Sequence, residues 1–276
     1  MLNLLLTFLL VQVPVSPTTI TAMSFNIRYD NPDDGESAWR YRMSRVVKEI
    51  AEAELIGIQE ALSHQVKQLA SELPDYEWVG VGRDDGGEKG EFAPLFFKTT
   101  VFEVLESTTL WLSETPDIPG SIGWDAAIPR IATSVHLRVR GTEIELQVIN
   151  THFDHRGVQA RLQSAKLLTE YIHKFARPVI LLGDLNATPD SAVLSVFTDS
   201  GSLHDTRFVT KTLPQGPDGT FSGFLENNQL NKAPRIDYIL VTSDWEVDGY
   251  KTIVSVENGR YISDHLPVKA KLQLSE

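Results

Sequence analysis

The chain has 276 residues, 42% of them hydrophobic, no cysteine and a formal net charge of -12. The length suits one large domain or two small ones, and the apolar share is that of an ordinary soluble protein. The lack of cysteine excludes disulfides and thiol chemistry. The acidic balance argues against a protein that coats nucleic acid by bulk electrostatics, but not against a nuclease with a local basic groove or a bound metal.

Residues 1–27 carry no charged side chain, and residues 4–13 form a short apolar core. That core is too short to span a bilayer. It has the length of a secretory h-region and is followed by Pro14-Val15-Ser16-Pro17. An export signal over residues 1–17 is therefore expected, although no basic residue precedes it and no A-x-A site follows. The alternative is a buried first strand. The expected protein is secreted or periplasmic, otherwise cytoplasmic, with no integral membrane association after processing.

Residues 18–29 are rich in β-branched and aromatic side chains and predict a strand, and residues 31–35 predict a turn. Trp39, Met43, Val46, Val47 and Ile50 recur with a helical period over 39–53. A short strand over 55–59 ends at Glu60, and a helix fits 63–73 with Ser63 as its N-cap. Strands follow at 76–81, 95–98 and 101–112, then a Gly- and Pro-containing loop over 113–129. Strands at 131–140 and 143–150 flank Gly141-Thr142, which predicts a tight hairpin. The helix over 156–175 places Leu162, Ala165, Leu168, Tyr171 and Ile172 on one face. An apolar strand over 178–182, a short helix over 191–197, a long loop over 203–234 and strands at 236–241, 245–256 and 268–274 complete the chain. No repeat or interdomain linker interrupts it. Residues 18–276 thus form one α+β domain in which two packed sheets are flanked by helices.

The chemistry lies at the strand ends. Asn26, Glu60, His152, Asp154, Asp184, Asn186, Asp237, Asp264 and His265 each fall within or close to the end of an apolar run. Carboxylates placed there are costly unless paired or bound to a cation. Hard oxygen donors suit Mg²⁺, with Mn²⁺ as the alternative, and there is no H-E-x-x-H or cysteine cluster to indicate structural zinc. The set offers what phosphate-ester hydrolysis requires: a cation on the phosphate, a carboxylate to activate water and donors for the developing charge. Singly, each residue also has a structural reading, as a strand-end partner, a helix-start acid or an Asx turn.

Six short runs make the resemblance specific. They are Ser24-Phe25-Asn26, Ile58-Gln59-Glu60, Asn150-Thr151-His152, Gly183-Asp184-Leu185-Asn186, Arg235-Ile236-Asp237-Tyr238 and Ser263-Asp264-His265. In this order the chain resembles the endonuclease/exonuclease/phosphatase superfamily of deoxyribonuclease-I-like metal-dependent phosphoesterases, in a bacterial branch of undefined substrate. The resemblance implies a four-layer α/β/β/α sandwich, with two mostly antiparallel sheets packed face to face and helices outside. It implies Asn26, Glu60 and Asp264 as metal ligands. It also implies Asp184, helped by Asn186, as the group that orients or deprotonates water, His265 held by Asp237 as phosphate donor or acid/base, and His152 as a donor to a non-bridging oxygen. Arg130, Trp124 and Asp154 are the expected substrate contacts, with His155 and Arg156 as further cleft candidates.

The expected activity is Mg²⁺-dependent hydrolysis of a phosphate mono- or diester by an activated water. The partner is a phosphate ester, either a small sugar phosphate or nucleic acid, and the protein is expected to act as a monomer. A true nuclease on DNA or RNA is the alternative. A catalytically silent binding module is a third reading, which the intact acidic and histidine set counts against. Arg40, Arg42, Arg45 and Lys48 read as a solvated helix face. Trp111 reads as core, and His64, His136, His173 and His204 as structural or surface residues.

Overall fold

Two-residue alternation along the strands sets the frame. The computed structural model describes residues 19–199, 201–224 and 229–275; the export signal expected over residues 1–17 lies outside the described residues. The first part of the chain runs β1 (Thr19–Asn26), α1 (Trp39–Ile50), β2 (Leu55–Gln59), β3 (Ala61–Leu62), α2 (Ser63–Glu72), β4 (Tyr76–Val79), β5 (Glu91–Phe92), β6 (Leu95–Lys98) and β7 (Phe102–Trp111). It continues with β8 (Ile131–Val139), β9 (Glu145–His152), α3 (Val158–Ile172), β10 (Val179–Asp184), α4 (Ala192–Thr198), β11 (His204–Asp205) and α5 (Thr206–Val209). The last part is β12 (Asp237–Val241), β13 (Trp245–Thr252), β14 (Val256–Glu257), β15 (Arg260–Tyr261) and β16 (Val268–Leu274).

One six-stranded sheet has the order β13-β16-β1-β2-β6-β4 and the other β11-β12-β10-β9-β8-β7. Each is antiparallel except at its middle, where β1 pairs with β2 and β9 with β10 in parallel. Parallel neighbours need a crossover. The segments carrying α1 and α3 supply them.

The inner faces of the sheets meet through side chains such as Ile20, Leu55, Val148, Leu182, Ile239 and Leu272. Residues one step along point outward. Met23, Phe25, Ile56 and Ile58 meet Trp39, Val46 and Ile50 of α1 and Val66 and Leu69 of α2. Ile149 and Leu181 meet Ala165 and Leu168 of α3 and Leu194 and Phe197 of α4. This is the expected four-layer α/β/β/α sandwich.

The inner layer changes character along the strands. The inward series of β1 runs Ile20, Ala22, Ser24, Asn26; that of β9 runs Leu146, Val148, Asn150, His152; that of β10 runs Ile180, Leu182, Asp184. A hydrogen-bonded belt marks the change. Gln59 Nε2 donates to Asn150 Oδ1 at 2.7 Å and to Ser24 Oγ at 3.2 Å. Asn150 Nδ2 donates to the carbonyls of Ile58 and Pro94. Gly57 makes room for it, because a Cβ there would stand 2.6 Å from Asn150 Oδ1 and 2.8 Å from Leu182 Cβ.

Four local expectations are revised. The first strand ends at Asn26 rather than at residue 29, because Arg28 turns to a left-handed φ of 61°. Ser63 is the first residue of α2 and Leu62 its cap, with Gln65 Oε1 accepting from Leu62 N. The loop over 203–234 contains β11 and α5. Arg42 is no solvated residue: it is fully buried and donates to the carbonyls of Ser37, Ile27, Ile262 and Arg28. Burial pushes its guanidinium down to about 10. Helical spacing alone does not show that Ile262 will pack against that side of α1.

Gly57→Ala is expected to cost about 1–3 kcal/mol through overpacking, read as a lower urea midpoint. A wild-type midpoint would show that the belt yields freely.

Candidate active site

The two parallel strand pairs deliver the site. Asn26 ends β1 and Glu60 directly follows β2; His152 ends β9 and Asp184 ends β10. Parallel neighbours finish at the same sheet edge, so each pair presents two polar side chains together. Asp237 opens the antiparallel β12 directly opposite Asp184. Asp264 and His265 lie just before β16, the neighbour of β1.

Asn26 is fully buried and joins the two halves. Its Nδ2 donates to Glu60 Oε1 and to Asp184 Oδ2, each at 3.0 Å. Its Oδ1 accepts from Arg28 N at 3.0 Å. The residue expected as a metal ligand therefore spends its amide on orienting two carboxylates. Glu60 adopts a φ of 63°, unusual for a side chain with a Cβ, and accepts from Tyr29 N at 3.2 Å.

His265 lies between two acids. Its Nδ1 is 2.9 Å from Asp237 Oδ2 and its Nε2 is 3.7 Å from Asp184 Oδ2. Burial works against a charged ring, but Asp237 and Asp184 outweigh it and hold His265 well above its ordinary range. Burial and the Asp237 charge push the Asp184 carboxyl up to about 7, against the pull of His265. Asn186 N donates to Asp184 Oδ1 at 2.9 Å. Asn186 Nδ2 lies 3.1 Å from His152 Nε2 and also donates to the Phe153 carbonyl. Burial, with the charges of Arg130 and His265, keeps His152 well below its usual range and so neutral.

Two groupings of side chains present ligand atoms for a cation. Asp184, Asp237 and His265 each offer a ligand atom within 4.8 Å of the others. There the imidazolium already lies between the carboxylates and supplies the positive charge. Glu60 and Asp264 also face the cleft and offer oxygen atoms only. Burial raises the Asp264 carboxyl, and the nearby Glu60 charge adds to this against His265 and Arg28. Two crowded carboxylates with oxygen donors only are the donor set of a hard divalent ion such as Mg²⁺.

Glu60, His152, Asp184, Asn186, Asp264 and His265 line one cavity of about 510 Å³. That is ample for a small phosphate ester. Of the expected substrate contacts, Arg130 lines this cavity, whereas Trp124 and Asp154 do not. Asp154 is buried and accepts from the backbone N–H groups of Ala127, Arg156 and Gly157. It ties the loop after β7 to the start of α3 rather than facing a ligand. Trp124 N donates to the Glu114 carboxylate within that loop. Trp111 is core, with Nε1 donating to the Arg83 carbonyl. His155 lines the cleft, as the sequence allowed. Glu91 and Phe221 also line it and were not singled out. Phe221 packs edge-on against the His265 ring with centroids 5.0 Å apart. Neither belongs to the polar strand-end runs that mark the other site residues in the sequence.

Comparison with known proteins follows this geometry. The model of the Endonuclease/Exonuclease/phosphatase family matches residues 23–265. No curated protein sequence matches the chain. An endonuclease/exonuclease/phosphatase from Bacteroides vulgatus is 38% identical, with a TM-score of 0.89, covering 94% of this chain and 100% of its own. A mannosyl-6-phosphatase from Bacteroides thetaiotaomicron is 34% identical, with a TM-score of 0.85, covering 92% of this chain and 99% of its own. D. rerio TDP2, solved with a single-stranded DNA product, is 17% identical with a TM-score of 0.71, covers 92% of this chain and 99% of its own, and shares the fold. With the six runs in order, the sandwich formed and the family model matched across the site, the chain belongs to the endonuclease/exonuclease/phosphatase family.

Proposed function

We propose that the chain is a divalent-metal-dependent phosphatase acting on a small sugar phosphate. The carrying observation is the convergence of Glu60, Asp264, Asp184, His152 and His265 on one cavity. The similar mannosyl-6-phosphatase supports a sugar phosphate as substrate. The net charge of -12 favours a small ester over a polyanionic strand, and so a phosphatase over a nuclease. No helix among the described residues is long and apolar enough to cross a membrane.

Glu60 and Asp264 would hold the cation, and Asn26 fixes the Glu60 carboxylate. A bound Mg²⁺ supplies Lewis-acid stabilisation of charge on the phosphoryl oxygens. Asp184 takes the proton of the attacking water on a carboxylate oxygen. Its ordinary carboxyl value of 3.8 would make it a weak base, and the raised value of about 7 makes it an effective one. His265, charged and held by Asp237, donates from Nε2 toward the phosphate. His152 contributes a neutral ring beside Asn186.

Glu60→Gln is expected to raise the Mg²⁺ concentration for half-maximal activity by at least about tenfold. An unchanged Mg²⁺ titration would remove Glu60 from the cation seat, and hydrolysis that resists EDTA would sink the metal requirement.

Asp184 also predicts a pH dependence. The base must be ionised, so turnover should rise with pH through about 7. Asp184→Asn should lower kcat by about 10²–10⁴-fold. Stability should move the opposite way. A carboxyl raised above its unfolded value favours the folded state when protonated, and that contribution fades as pH rises from 3.8 through about 7. Asp184→Asn should therefore raise the melting temperature more at pH 8 than at pH 4. Equal shifts at both pH values would contradict a buried, raised carboxyl.

A further inference from the structure

Arg130, His155 and Glu91 form a contiguous polar group in the cleft that the hydrolytic step does not use. The Arg130 side chain is only 5% exposed. Its Nη2 lies 3.1 Å from His155 Nδ1. Arginine offers donors only, so His155 Nδ1 must accept. The ring is then neutral and carries its proton on Nε2, which is left as a donor. Arg130 Nε and Nη1 are buried without a hydrogen-bond partner. Asp154 at 3.6 Å and Glu91 at 4.0 Å balance the charge without closing a hydrogen bond.

Glu91 is held in place on β5, paired with β3, and its Oε2 accepts from Arg83 Nη1 at 2.5 Å. Its Oε1 takes no hydrogen bond among the described residues. The group therefore offers both donors and an acceptor, and its cations are already paired with carboxylates. Arg130 and Arg83 are already faced by Glu91, Asp154 and Asp84, and His155 is neutral. A second phosphate placed here would meet the Glu91 carboxylate, which lines the cavity. Neutral hydroxyls, each able to donate and accept, satisfy every member. Leaving buried donors without an acceptor is costly.

We propose that Arg130, His155 Nε2 and Glu91 bind hydroxyl groups of the sugar that carries the scissile phosphate, with Glu91 accepting and the other two donating. This rests on the phosphatase reading and adds to it the residues that distinguish a sugar phosphate from a simple alkyl phosphate.

Binding without turnover tests it. Calorimetry on full-length Asp184→Asn protein with Mg²⁺ compares ethyl phosphate with mannose 6-phosphate, glucose 6-phosphate and fructose 6-phosphate. At least one sugar phosphate should bind at least about tenfold more tightly than ethyl phosphate, the value of one or two net hydrogen bonds. Adding Glu91→Gln or His155→Ala should reduce that preference below threefold and leave ethyl phosphate affinity within twofold. His155 has a 44% exposed side chain, so its variant tests the idea even if Glu91→Gln fails to fold. Equal affinity for all four ligands, or a preference that survives His155→Ala, would overturn the proposal. Wild-type protein that binds sugar phosphates selectively but releases no phosphate would overturn the phosphatase reading while leaving this subsite standing.

Discussion

The Asn26 amide is the contact on which the site depends. One Nδ2 group donates to Glu60 on the first sheet and Asp184 on the second, each at 3.0 Å. Two carboxylates this close to a common donor, one half-buried and one buried, repel each other. The shared amide orders them without neutralising either. It leaves Glu60 and Asp184 facing the same cavity. Because the amide spans the interface, any sliding of one sheet over the other would break the pairing. The apolar contacts that fix sheet-to-sheet register are in this sense part of the active site.

The inner layer shows how that register is maintained. At one end it is ordinary core, with Ile20, Leu55, Val148, Ile180 and Leu272 buried together. Toward the site the same inward positions become Ser24, Gln59 and Asn150, and then Asn26, His152 and Asp184. The middle belt is satisfied almost wholly by its own hydrogen bonds, although Gln59 Oε1 remains without a partner. A buried polar belt is directional where an apolar one is not. It gives a defined spacing between sheets that hydrophobic contact alone would leave loose, and the site inherits that spacing.

This arrangement also explains which parts were legible in the sequence. Period-2 alternation shows which side chains share a face, so polar residues at strand ends could be collected as one set. Asp184, His265, Glu60 and His152 do line one cavity. Asp154 satisfied the same pattern yet serves the backbone of Ala127, Arg156 and Gly157. A carboxylate at a strand end looks alike in sequence whether it faces a ligand or the next loop. Arg42 and Glu91 were opaque for the converse reason. Their roles depend on partners far along the chain or across a two-residue strand pair, such as the Ile262 carbonyl and the β3–β5 contact. Local periodicity carries no trace of either.

The backbone beside Asn26 is strained. Arg28 and Glu60 both occupy the left-handed region, at φ 61° and 63°. For residues with a Cβ this costs about 1–2 kcal/mol each. Glycine would relieve the strain, but it would remove a carboxylate at 60 and, at 28, the guanidinium that reaches Asp264 at 3.8 Å. The strain is held by bonds that converge on the same few residues. Asn26 Oδ1 takes Arg28 N, Glu60 Oε2 takes Tyr29 N, and Arg42 binds the carbonyls of Ile27 and Arg28 from below together with that of Ile262, near Asp264. Arg42 thus ties the Arg28 turn and the segment leading to Asp264 to one helix. A buried arginine bonded only to carbonyls contributes little that an apolar residue could not to stability alone. Its placement makes sense where the strained turn at Arg28 and the segment leading to Asp264 must be held at a fixed separation.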